Sequence, residues 1–575
     1  MFEIDNLHVI GIGDGTESDI EQRLSDGIIE LDVKFAFREP KIPETITVEW
    51  FVKGDDCCSV WNPFMRCHSI RPDWGLNVMQ SRLASGMPVQ QIIRHNGNNK
   101  TCISVSDVDT PIKISIGYNE ESANIICSVS FFTIPTDRKK EYSATVRIDM
   151  RNIPFYDSVY ETVQWWENDL GYNPAYVPGI AKEPMDSLWY SFHQMLDKKE
   201  ILEECKSSSA LGMKTIIIDD GWQTDDNNRG YAFCGDWRVC ESKMGDMASL
   251  IDEIHSLGMK VILWYSVPFM GINCEKYNEF KDMLLDKTGD EKTFFALDPR
   301  YKKVREYLCG VYETAVKEWG LDGLKLDFID SFVLKGKSLE PDSARDFESL
   351  ESAIHALLSD VCTRLLDINP DILIEFRQSY VGPSIRKYGN MLRVGDCPGD
   401  VLTNRSQIIN LRLTSGKTAV HSDMVMWNKE DDVENAALQL ANIIFAVPQI
   451  SARINTLSEN HVKMLKFYLD FMTENRDVLL DGKLTAMNPE TEYSGVCSTL
   501  GGKSVAAVYT NPVVSVNTSE CLIVNASTLQ EVVLKNANGK SYKAFDCTGE
   551  LVSSGVIDQE VYCLPITTAG IIDIK

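Results

Sequence analysis

The chain has 575 residues, which is too long for one hydrophobic core, so two to four domains are expected. Its composition, 44% hydrophobic and 25% charged, is typical of a soluble globular protein. The formal net charge of −27 argues against nucleic acid and anionic membrane as partners, since both would be repelled.

Residues 1–170 are predicted to form an N-terminal β-sandwich domain. Short runs over 28–37, 45–52 and 125–132 alternate apolar and polar residues. This period-two alternation is typical of antiparallel sheets with one buried face. A stretch rich in Pro, Gly and Asn over 168–184 then indicates a linker into the next domain.

Residues 171–478 show a repeated strand, loop and helix pattern. Strands are predicted over 187–192, 215–219, 260–265, 323–329, 372–377, 391–395, 418–421 and 446–450. Helical patterns lie between them over 247–257, 302–319, 344–368 and 435–444. Eight strands with intervening helices predict an α/β fold with a central (β/α)₈ TIM barrel.

Residues 479–575 return to β patterning, for example over 504–509 and 521–524, and predict a small C-terminal antiparallel β domain. The sequence contains no run of about 18 apolar residues, so no membrane span is expected. The first residues lack the basic and apolar segments of a signal peptide, so none is expected.

The 16 cysteines are scattered, many within apolar segments, which predicts reduced thiols in a cytoplasmic protein. Cys57, Cys58, Cys67 and His68 lie close together in sequence, but their spacing is not that of a standard zinc site. No metal is predicted.

The predicted strand over 323–329 is the most informative part of the chain. Lys325, Asp327 and Ile329 share one face of this strand, because strand side chains alternate with a period of two. Charged residues in an apolar strand are costly unless they pair or serve a site. The pattern indicates either a structural ion pair or an active site at the end of a barrel strand.

Other predicted strands end in residues suited to binding a sugar. Asp219 and Asp220 follow the second strand with Trp222 beside them, where carboxylates can accept hydroxyl hydrogen bonds and an indole can pack on a pyranose. Trp264 ends the third strand, and Tyr190 lies in the first. The alternative for the two aspartates is an acidic turn that caps the next helix.

Arg393 and Asp396 lie at the end of the sixth predicted strand. Asp327 and Asp396 would form the carboxylate pair of a glycosidase, about 5–5.5 Å apart in a retaining enzyme. Lys325 would keep the nucleophile ionised, whereas the acid would need a raised pKa. Glu375, Asp400 and Asp423 lie nearby in sequence and are alternatives for the acid/base.

These residues resemble a known family. Asp219-Asp-Gly-Trp-Gln223, Gly235-Asp-Trp237, His255 to Lys260 leading to Trp264, and Lys325-Leu-Asp327 follow the order and spacing of α-galactosidases. The chain is similar to glycoside hydrolase family 36 of clan D over the whole barrel, and the flanking β domains match that family's architecture.

The resemblance implies a retaining α-glycosidase that needs no cofactor. Asp327 would be the nucleophile and Asp396 the acid/base. Hydroxyls of a galactose-like ring would be bound by the set Asp219, Asp220, Lys325 and Arg393, while Trp264 lines the pocket. Related enzymes often assemble into dimers or larger, so a homo-oligomer is one expectation, with an oligosaccharide or α-glycoside as substrate.

The sequence departs from the family at the fifth and sixth strands. Members commonly carry a Cys or Gly-rich segment where Arg377, Gln378 and Tyr380 stand here, and a serine where Gly395 precedes Asp396. The resemblance places the substituent on sugar carbon 2 near these strands. Arg377 and Gln378 are therefore expected to bind substrate and to read an acidic, acetamido or otherwise modified sugar.

Two further segments have two interpretations each. His421, Asp423 and Trp427 follow the seventh strand and either reach the pocket or cap a helix. The aromatic-rich loop over 59–74 is expected either to cover the barrel mouth or to pack at a domain interface.

Two alternatives to the hydrolase are open. A transglycosylase of the raffinose or stachyose synthase type would use the same residues and pass the sugar to a hydroxyl. A non-catalytic sugar-binding barrel is disfavoured by the presence of both Asp327 and Asp396.

Overall fold

A computed structural model describes residues 6–285 and 292–575. Two sheets of six strands lie at the N-terminal side. The first has the strand order His8–Ile10, Ile46–Val52, Ile125–Phe131, Ile112–Tyr118, Asn77–Arg82 and Ser85–Gly86. The second has the order Thr16–Ser25, Ile28–Lys41, Lys139–Asp149, Asn99–Val105, Val89–Ile93 and Ser59–Trp61.

The N-terminal sheets enclose a common apolar core. Along Ile28–Lys41 the residues Ile29, Leu31, Val33 and Phe35 are buried and their neighbours are more exposed, as the alternation predicts. They pack with Val48, Trp50, Ile114 and Val129 of the other sheet, among others. The predicted β-sandwich is confirmed.

The centre of the molecule is an eight-stranded parallel barrel. Its strands, in chain order, are Met185–Ser187, Thr215–Ile218, Lys260–Ser266, Gly323–Asp327, Leu373–Arg377, Met391–Arg393, Ala419–His421 and Gln449–Ile450. Parallel bridges from His421 to Val447 and from Val425 to Ile450 bring the seventh and eighth strands together. The predicted (β/α)₈ barrel is confirmed, and its strands are named below as the first to eighth barrel strands.

Helices cover the barrel. They are Lys198–Ala210, Met247–Ser256, Lys302–Trp319, Leu350–Ile368, Val401–Thr414, Val433–Ala441 and Glu459–Glu474, with short helices at Phe155–Gln164, Trp189–Phe192, Glu241–Met244, Tyr277–Phe280 and Arg476–Asp481. Local sequence sets their ends: Asp197 and Asp400 accept backbone N–H groups at N-termini. Gly320, with φ of 72°, ends Lys302–Trp319 in the left-handed conformation.

Two predicted boundaries were wrong. The first barrel strand is Met185–Ser187, and residues Trp189–Phe192 form a helical turn where the apolar aromatic run had suggested a strand. The helix predicted over 344–368 begins at Leu350, because the Ser349 hydroxyl accepts the N–H of Ser352 as an N-cap. The strand error comes from reading an apolar aromatic run as extended, and the helix error comes from overlooking the N-cap Ser349.

The C-terminal region is mostly antiparallel. A seven-stranded sheet has the order Lys483–Met487, Gly495–Leu500, Lys503–Val508, Glu520–Asn525, Ile571–Ile574, Ser541–Phe545 and Leu551–Val556. A three-stranded sheet contains Val513–Ser515, Glu531–Lys535 and Val561–Pro565. Two of the pairings, one in each sheet, are parallel. In the ranges that the structure describes, no helix is long and apolar enough to cross a membrane.

Candidate active site

Asp327 ends the fourth barrel strand and lies in a dense set of hydrogen-bond donors. Its Oδ1 accepts from Arg377 Nε at 2.5 Å, the Phe328 backbone N–H at 2.8 Å and the Tyr380 hydroxyl at 3.2 Å. Its Oδ2 accepts from Trp264 Nε1 at 3.0 Å. One oxygen is therefore held by three donors and the other by one.

The surroundings of Asp327 favour its ionised form. Burial alone would raise the pKa of this carboxyl. The nearby charges of Arg377 and Lys325 and the indole N–H of Trp264 outweigh burial and lower the pKa below its ordinary value. A buried carboxylate that is ionised at neutral pH is what a nucleophile requires.

Lys325 pairs with Asp219, not with Asp327 of its own strand. Its Nζ lies 2.6 Å from Asp219 Oδ2, and both side chains are buried. Asp219 Oδ1 also accepts the backbone N–H of Asp220. The ion pair joins the second and fourth barrel strands, so Lys325 does form a structural ion pair, with Asp219, and its role as a site residue stays a prediction.

Asp220 lies beside this pair and is held by two amides. Gln194 Nε2 donates to its Oδ2 at 2.6 Å, and Gln223 Nε2 donates to its Oδ1 at 2.7 Å. Burial raises the pKa of Asp220 to about 6, although both amides act in the opposite direction. Gln194, which the sequence analysis did not single out, fixes the orientation of this carboxylate.

Trp264 forms an aromatic wall with residues from neighbouring loops. Tyr231 stacks on it with ring centroids 6.3 Å apart, and Phe328 meets it edge-on at 6.5 Å. The sequence analysis missed Tyr231, which lies in the polar loop between the Asp219 and Gly235 motifs. Aromatic residues in such a polar loop, Tyr231 and Phe233, are the signal that could have found it.

Trp222 was predicted to contact the sugar, and the structure contradicts this. Its side chain is 0% exposed, and its indole N–H donates to the Trp264 carbonyl at 2.9 Å. It packs against Trp237, Tyr265 and Trp319 beneath the site. Trp222 supports the third barrel strand from behind, so it has no free face for a ligand.

Arg377 ends the fifth barrel strand beside the candidate nucleophile. Besides its contact with Asp327, its Nη1 donates to the Gln378 carbonyl at 3.1 Å, and the guanidinium lies 5.0 Å from the Phe328 ring. Tyr380 follows, with its hydroxyl 3.0 Å from the Leu326 carbonyl. The departure from the family at this strand therefore brings a cation against Asp327.

Asp396 follows the sixth barrel strand and is paired with Arg393. Arg393 Nη2 lies 2.8 Å from Asp396 Oδ1, and half of the Asp396 side chain is exposed. This arginine lowers the pKa of Asp396 to about 2. The expected raised pKa of the acid is therefore wrong for the protein without ligand, because a cation lies against the carboxylate.

Arg393 was predicted to contact sugar hydroxyls, and the structure places it among carboxylates of the barrel. Its side chain is 1% exposed, since Nη1 lies 2.5 Å from Asp423 and Nε lies 3.7 Å from Glu375. Three carboxylates surround it. Arg393 anchors Asp396 from beneath.

The alternatives for the acid/base all have structural partners. Asp423 is buried and accepts from Arg393, from the Cys397 N–H at 2.6 Å and from the Tyr190 hydroxyl at 3.0 Å. Glu375 is buried and accepts from Gln449. Asp400 caps the helix Val401–Thr414. Asp396 has half of its side chain exposed, which distinguishes it from the buried Glu375 and Asp423.

The segment after the seventh strand does not reach the open site. His421 is fully buried, and its Nε2 lies 2.9 Å from the Ala181 carbonyl. Trp427 packs edge-on against His461 with centroids 6.2 Å apart. Tyr190, which is half-buried, does lie at the mouth, because its hydroxyl binds Asp423 beside the Asp396 turn.

The aromatic-rich N-terminal loop packs between regions of the chain, one of its two predicted roles, and covering of the barrel mouth stays a prediction. Trp61 is fully buried between regions, and its Nε1 donates to Asn410 at 3.0 Å and to Tyr493 at 3.2 Å. Phe64 and Met65 line a cavity together with Gln378 of the barrel rim. Within the described ranges, no group of three or more His, Cys, Asp or Glu residues could hold a metal ion.

A barrel that carries paired carboxylates and an aromatic wall at the C-terminal ends of its strands is the kind that glycoside hydrolases use. Residues 186–386 match the family model Melibiase. The predicted resemblance to the α-galactosidases is confirmed.

Two relatives illustrate the similarity in sequence. The chain is 27% identical over 135 residues to the bifunctional alpha-galactosidase/sucrose kinase AgaSK of Mediterraneibacter gnavus, covering 22% of this chain and 14% of that protein. It is 26% identical over 194 residues to the A type blood alpha-D-galactosamine galactosaminidase of Flavonifractor plautii, covering 30% and 17%. The matches span less than a fifth of these relatives' lengths.

Solved structures share the fold over nearly the whole chain. The GH36 alpha-galactosidase AgaA of Geobacillus stearothermophilus superposes with a TM-score of 0.67 at 14% identity, covering 98% of this chain and 81% of that one. The alpha-galactosidase of Lactobacillus brevis gives 0.66 at 13% identity, covering 99% and 85%. The β-sandwich, barrel and C-terminal sheets are thus a shared architecture.

Proposed function

We propose that the protein is a retaining α-glycosidase that hydrolyses terminal α-galactosides or closely related α-glycosides through a covalent glycosyl-enzyme. The observation that carries this proposal is the ionised, buried Asp327, whose Oδ2 accepts one hydrogen bond while Oδ1 accepts three. The Melibiase match and the shared fold support the choice of α-galactosides as the substrate class.

In the first step, Asp327 Oδ2 attacks the anomeric carbon and the bond to the leaving oxygen breaks. Oδ1 becomes the carbonyl oxygen of the glycosyl ester, where its three donors hold it in place. Asp396 gives its proton to the leaving oxygen. In the second step Asp396 takes a proton from water, which attacks the same carbon and releases Asp327.

The pairing of Asp396 with Arg393 favours the second step, because an ionised carboxylate is the form that acts as a base. For the first step the carboxyl must carry a proton. A sugar that covers the half-exposed Asp396 would exclude water and raise its pKa in the complex.

Asp219, Asp220 and Lys325 are proposed to bind the glycone hydroxyls. They lie on neighbouring barrel strands within one hydrogen-bonded group, and carboxylate and ammonium groups offer both acceptors and donors. Trp264, with Tyr231 stacked on it, would pack on the sugar ring. Arg377 and Tyr190 complete the proposed set of contacts.

An oligosaccharide is the proposed natural substrate, because AgaA variants are described in complexes with raffinose and stachyose. A cytoplasmic location is also a proposal. It is supported by buried thiols, for example Cys102, whose pKa burial raises to about 12.

The decisive experiment is hydrolysis of a panel of p-nitrophenyl α-glycosides by the wild type and by Asp327→Ala. Turnover of the galactoside that falls by about 10⁴-fold or more in the variant would support the proposal. Asp371→Ala, which removes an exposed carboxylate at the opposite end of the fifth barrel strand, is the matched control. Equal loss in both variants, or no turnover of any glycoside by the wild type, would contradict it.

A further inference from the structure

A tight hairpin of the N-terminal domain reaches the loops that follow the fourth and fifth barrel strands. Its two strands are Asn77–Arg82 and Ser85–Gly86. The residues between them, Leu83 and Ala84, are buried in the same hydrophobic cluster as the fourth and fifth barrel strands. The tip of the hairpin is therefore packed into the barrel core, although its strands belong to the β-sandwich.

Arg82 of the hairpin binds the loop after the fourth barrel strand. Its Nη1 donates to the Phe332 carbonyl at 2.8 Å, and its Nη2 donates to the Asp330 carbonyl at 2.5 Å. Both carbonyls belong to the short turn that follows Phe328, whose N–H donates to Asp327 Oδ1. The planar guanidinium thus holds, through two fixed donors, the segment that carries one donor to the proposed nucleophile.

The second strand of the hairpin binds the loop after the fifth barrel strand. The Gly86 N–H donates to the Ser379 carbonyl at 2.8 Å, and the hydroxyls of Ser85 and Ser379 lie 3.0 Å apart. Ser379 lies between Arg377 and Tyr380, which supply the other two donors to the same oxygen of the nucleophile. The hairpin therefore contacts both loops from which these donors come.

The two loops are also bound to each other. The Ser379 hydroxyl donates to Asp330 Oδ2 at 3.2 Å, and the Arg377 guanidinium lies 5.0 Å from the Phe328 ring. All three donors to Asp327 Oδ1 are thus carried by loops that contact each other and the hairpin. A change in the hairpin contacts would reach the nucleophile through this set of hydrogen bonds.

The contacts of Arg82 differ from ordinary packing between domains, because these two hydrogen bonds end on backbone carbonyls. A bond to a carbonyl fixes the path of the loop backbone, whereas a bond to a long side chain would leave it free. Arg82 is half-buried, and burial lowers its pKa, while the charges of Glu351 and Asp330 act in the opposite direction. Burying part of a cation costs free energy that an apolar residue at this position would avoid.

We infer that Arg82 is a positioning residue for the proposed nucleophile, which holds the loops that carry the three donors of Asp327 Oδ1. The inference rests on the proposed function for the reaction itself. With Oδ1 fixed in this way, Oδ2 is left to face the anomeric carbon. The active site is then complete only when the N-terminal domain is docked on the barrel.

The first test requires no turnover. The indole N–H of Trp264 donates to Asp327 Oδ2, so its ¹H–¹⁵N resonance, identified by its loss in Trp264→Phe, reports protonation of Asp327. In the wild type this resonance should titrate only at low pH, because the pKa of Asp327 is below its ordinary value. In Arg82→Met the donors to Oδ1 are held less firmly, so the midpoint should rise by about one pH unit.

The charged and titratable groups that face Asp327 are the same in this variant as in the wild type. They are Arg377, Lys325, Arg393, Asp330, Tyr231 and Tyr380.

Arg82→Lys separates position from charge, because it keeps the cation but cannot reach two carbonyls with one planar group. It should shift the midpoint about as much as Arg82→Met. Arg23→Met removes an exposed arginine that pairs with Glu30 and Asp32 in the same domain, and should leave the resonance unchanged. Ser379→Ala removes the hydroxyl link without changing charge, and should give a smaller shift in the same direction.

Kinetics with p-nitrophenyl α-galactoside gives the second test. Arg82→Met should lower kcat by about tenfold or more and change KM by less than about twofold, since the proposed glycone ligands Asp219 and Asp220 lie on another strand. A wild type without turnover would contradict the proposed function and leave the titration as the test of Arg82. A midpoint that Arg82→Met and Ser379→Ala both leave unchanged, or that Arg82→Lys fully restores, would overturn the inference.

Discussion

Burial raises the pKa of Asp220 to about 6, so this proposed sugar ligand changes charge within the range in which the enzyme would be assayed. Above about pH 6 the carboxylate accepts hydrogen bonds from sugar hydroxyls, and below it the proton removes an acceptor. KM for an aryl α-galactoside should therefore rise about tenfold as pH falls from 7 to 5. Steady-state kinetics across this range provides the measurement.

Asp220→Asn is the matched variant for this pH dependence. It keeps the size of the side chain and one acceptor oxygen but cannot titrate, so its KM should be higher and nearly constant with pH. An acid limb that persists unchanged in Asp220→Asn would assign the titration to another group.

Asp396 can be tested by chemical rescue. In Asp396→Ala the p-nitrophenolate leaving group needs no proton, so the glycosyl-enzyme still forms, but no base activates water. Azide needs no base and would attack the anomeric carbon, releasing Asp327. Turnover should fall by about 10²–10⁴-fold and recover with azide, yielding α-galactosyl azide that NMR identifies.

Asp400→Ala serves as the control for azide rescue, because Asp400 is the N-cap of Val401–Thr414 and has no proposed role in catalysis. Rescue of Asp400→Ala, or a β-configured azide from Asp396→Ala, would show that Asp396 is not the acid/base.

At the scale of elements, apolar runs placed seven of the eight barrel strands, since a parallel strand covered on both faces is continuously apolar. They misplaced the first, because the aromatic turn Trp189–Phe192 is as apolar as a strand.

The ends of the predicted strands also located the carboxylates. Their partners were not predictable, since Lys325 pairs with Asp219 across 106 positions of sequence. Such pairs depend on how strands align, which local patterns do not encode.

The helix Lys198–Ala210 carries a buried carboxylate that predicts pH-dependent stability. Glu204 faces Asp186 of the first barrel strand, and its Oε1 accepts the Ile454 N–H at 2.8 Å. Burial raises its pKa from 4.5 to about 7. The folded state thus binds a proton more tightly than the unfolded state, so this group lowers the free energy of unfolding as pH rises from about 4.5 to about 7.

Glu204→Gln should therefore raise Tm at pH 8 and change it little at pH 4.5, because glutamine keeps the acceptor for Ile454 without a buried charge. The gain in the free energy of unfolding should be a few kcal/mol, roughly 1.4 kcal/mol per unit of pKa shift. Thermal unfolding at the two pH values measures it. Glu203→Gln, an exposed neighbour on the same helix, should show no such difference. A gain that is equal at both pH values would contradict the assignment.

At the scale of the whole molecule, Trp61 links the three regions of the chain. It lies at the end of an N-terminal strand, and its indole N–H donates to Asn410 on a barrel helix and to Tyr493, just before a C-terminal strand. The Tyr493 hydroxyl also donates to Asn410. All three side chains are buried, so the group makes the stability of each region depend on the others.

Asn410 also lines a recess of about 300 Å³ between residues 63–66 of the N-terminal loop and the helix Val401–Thr414, so the same contact that joins the regions sets the position of that helix wall. Trp61→Phe removes the shared donor while keeping most of the apolar bulk. It should lower the free energy of unfolding by about 1–3 kcal/mol, because two buried acceptors lose a partner. It should also broaden or split the calorimetric transition, since the regions become less tightly coupled.

Trp74→Phe, at a position that is 78% exposed, should leave the transition unchanged. A Trp61→Phe protein that unfolds in one transition at the wild-type Tm would show that the regions are joined by other contacts, and the recess would then keep its shape without this group.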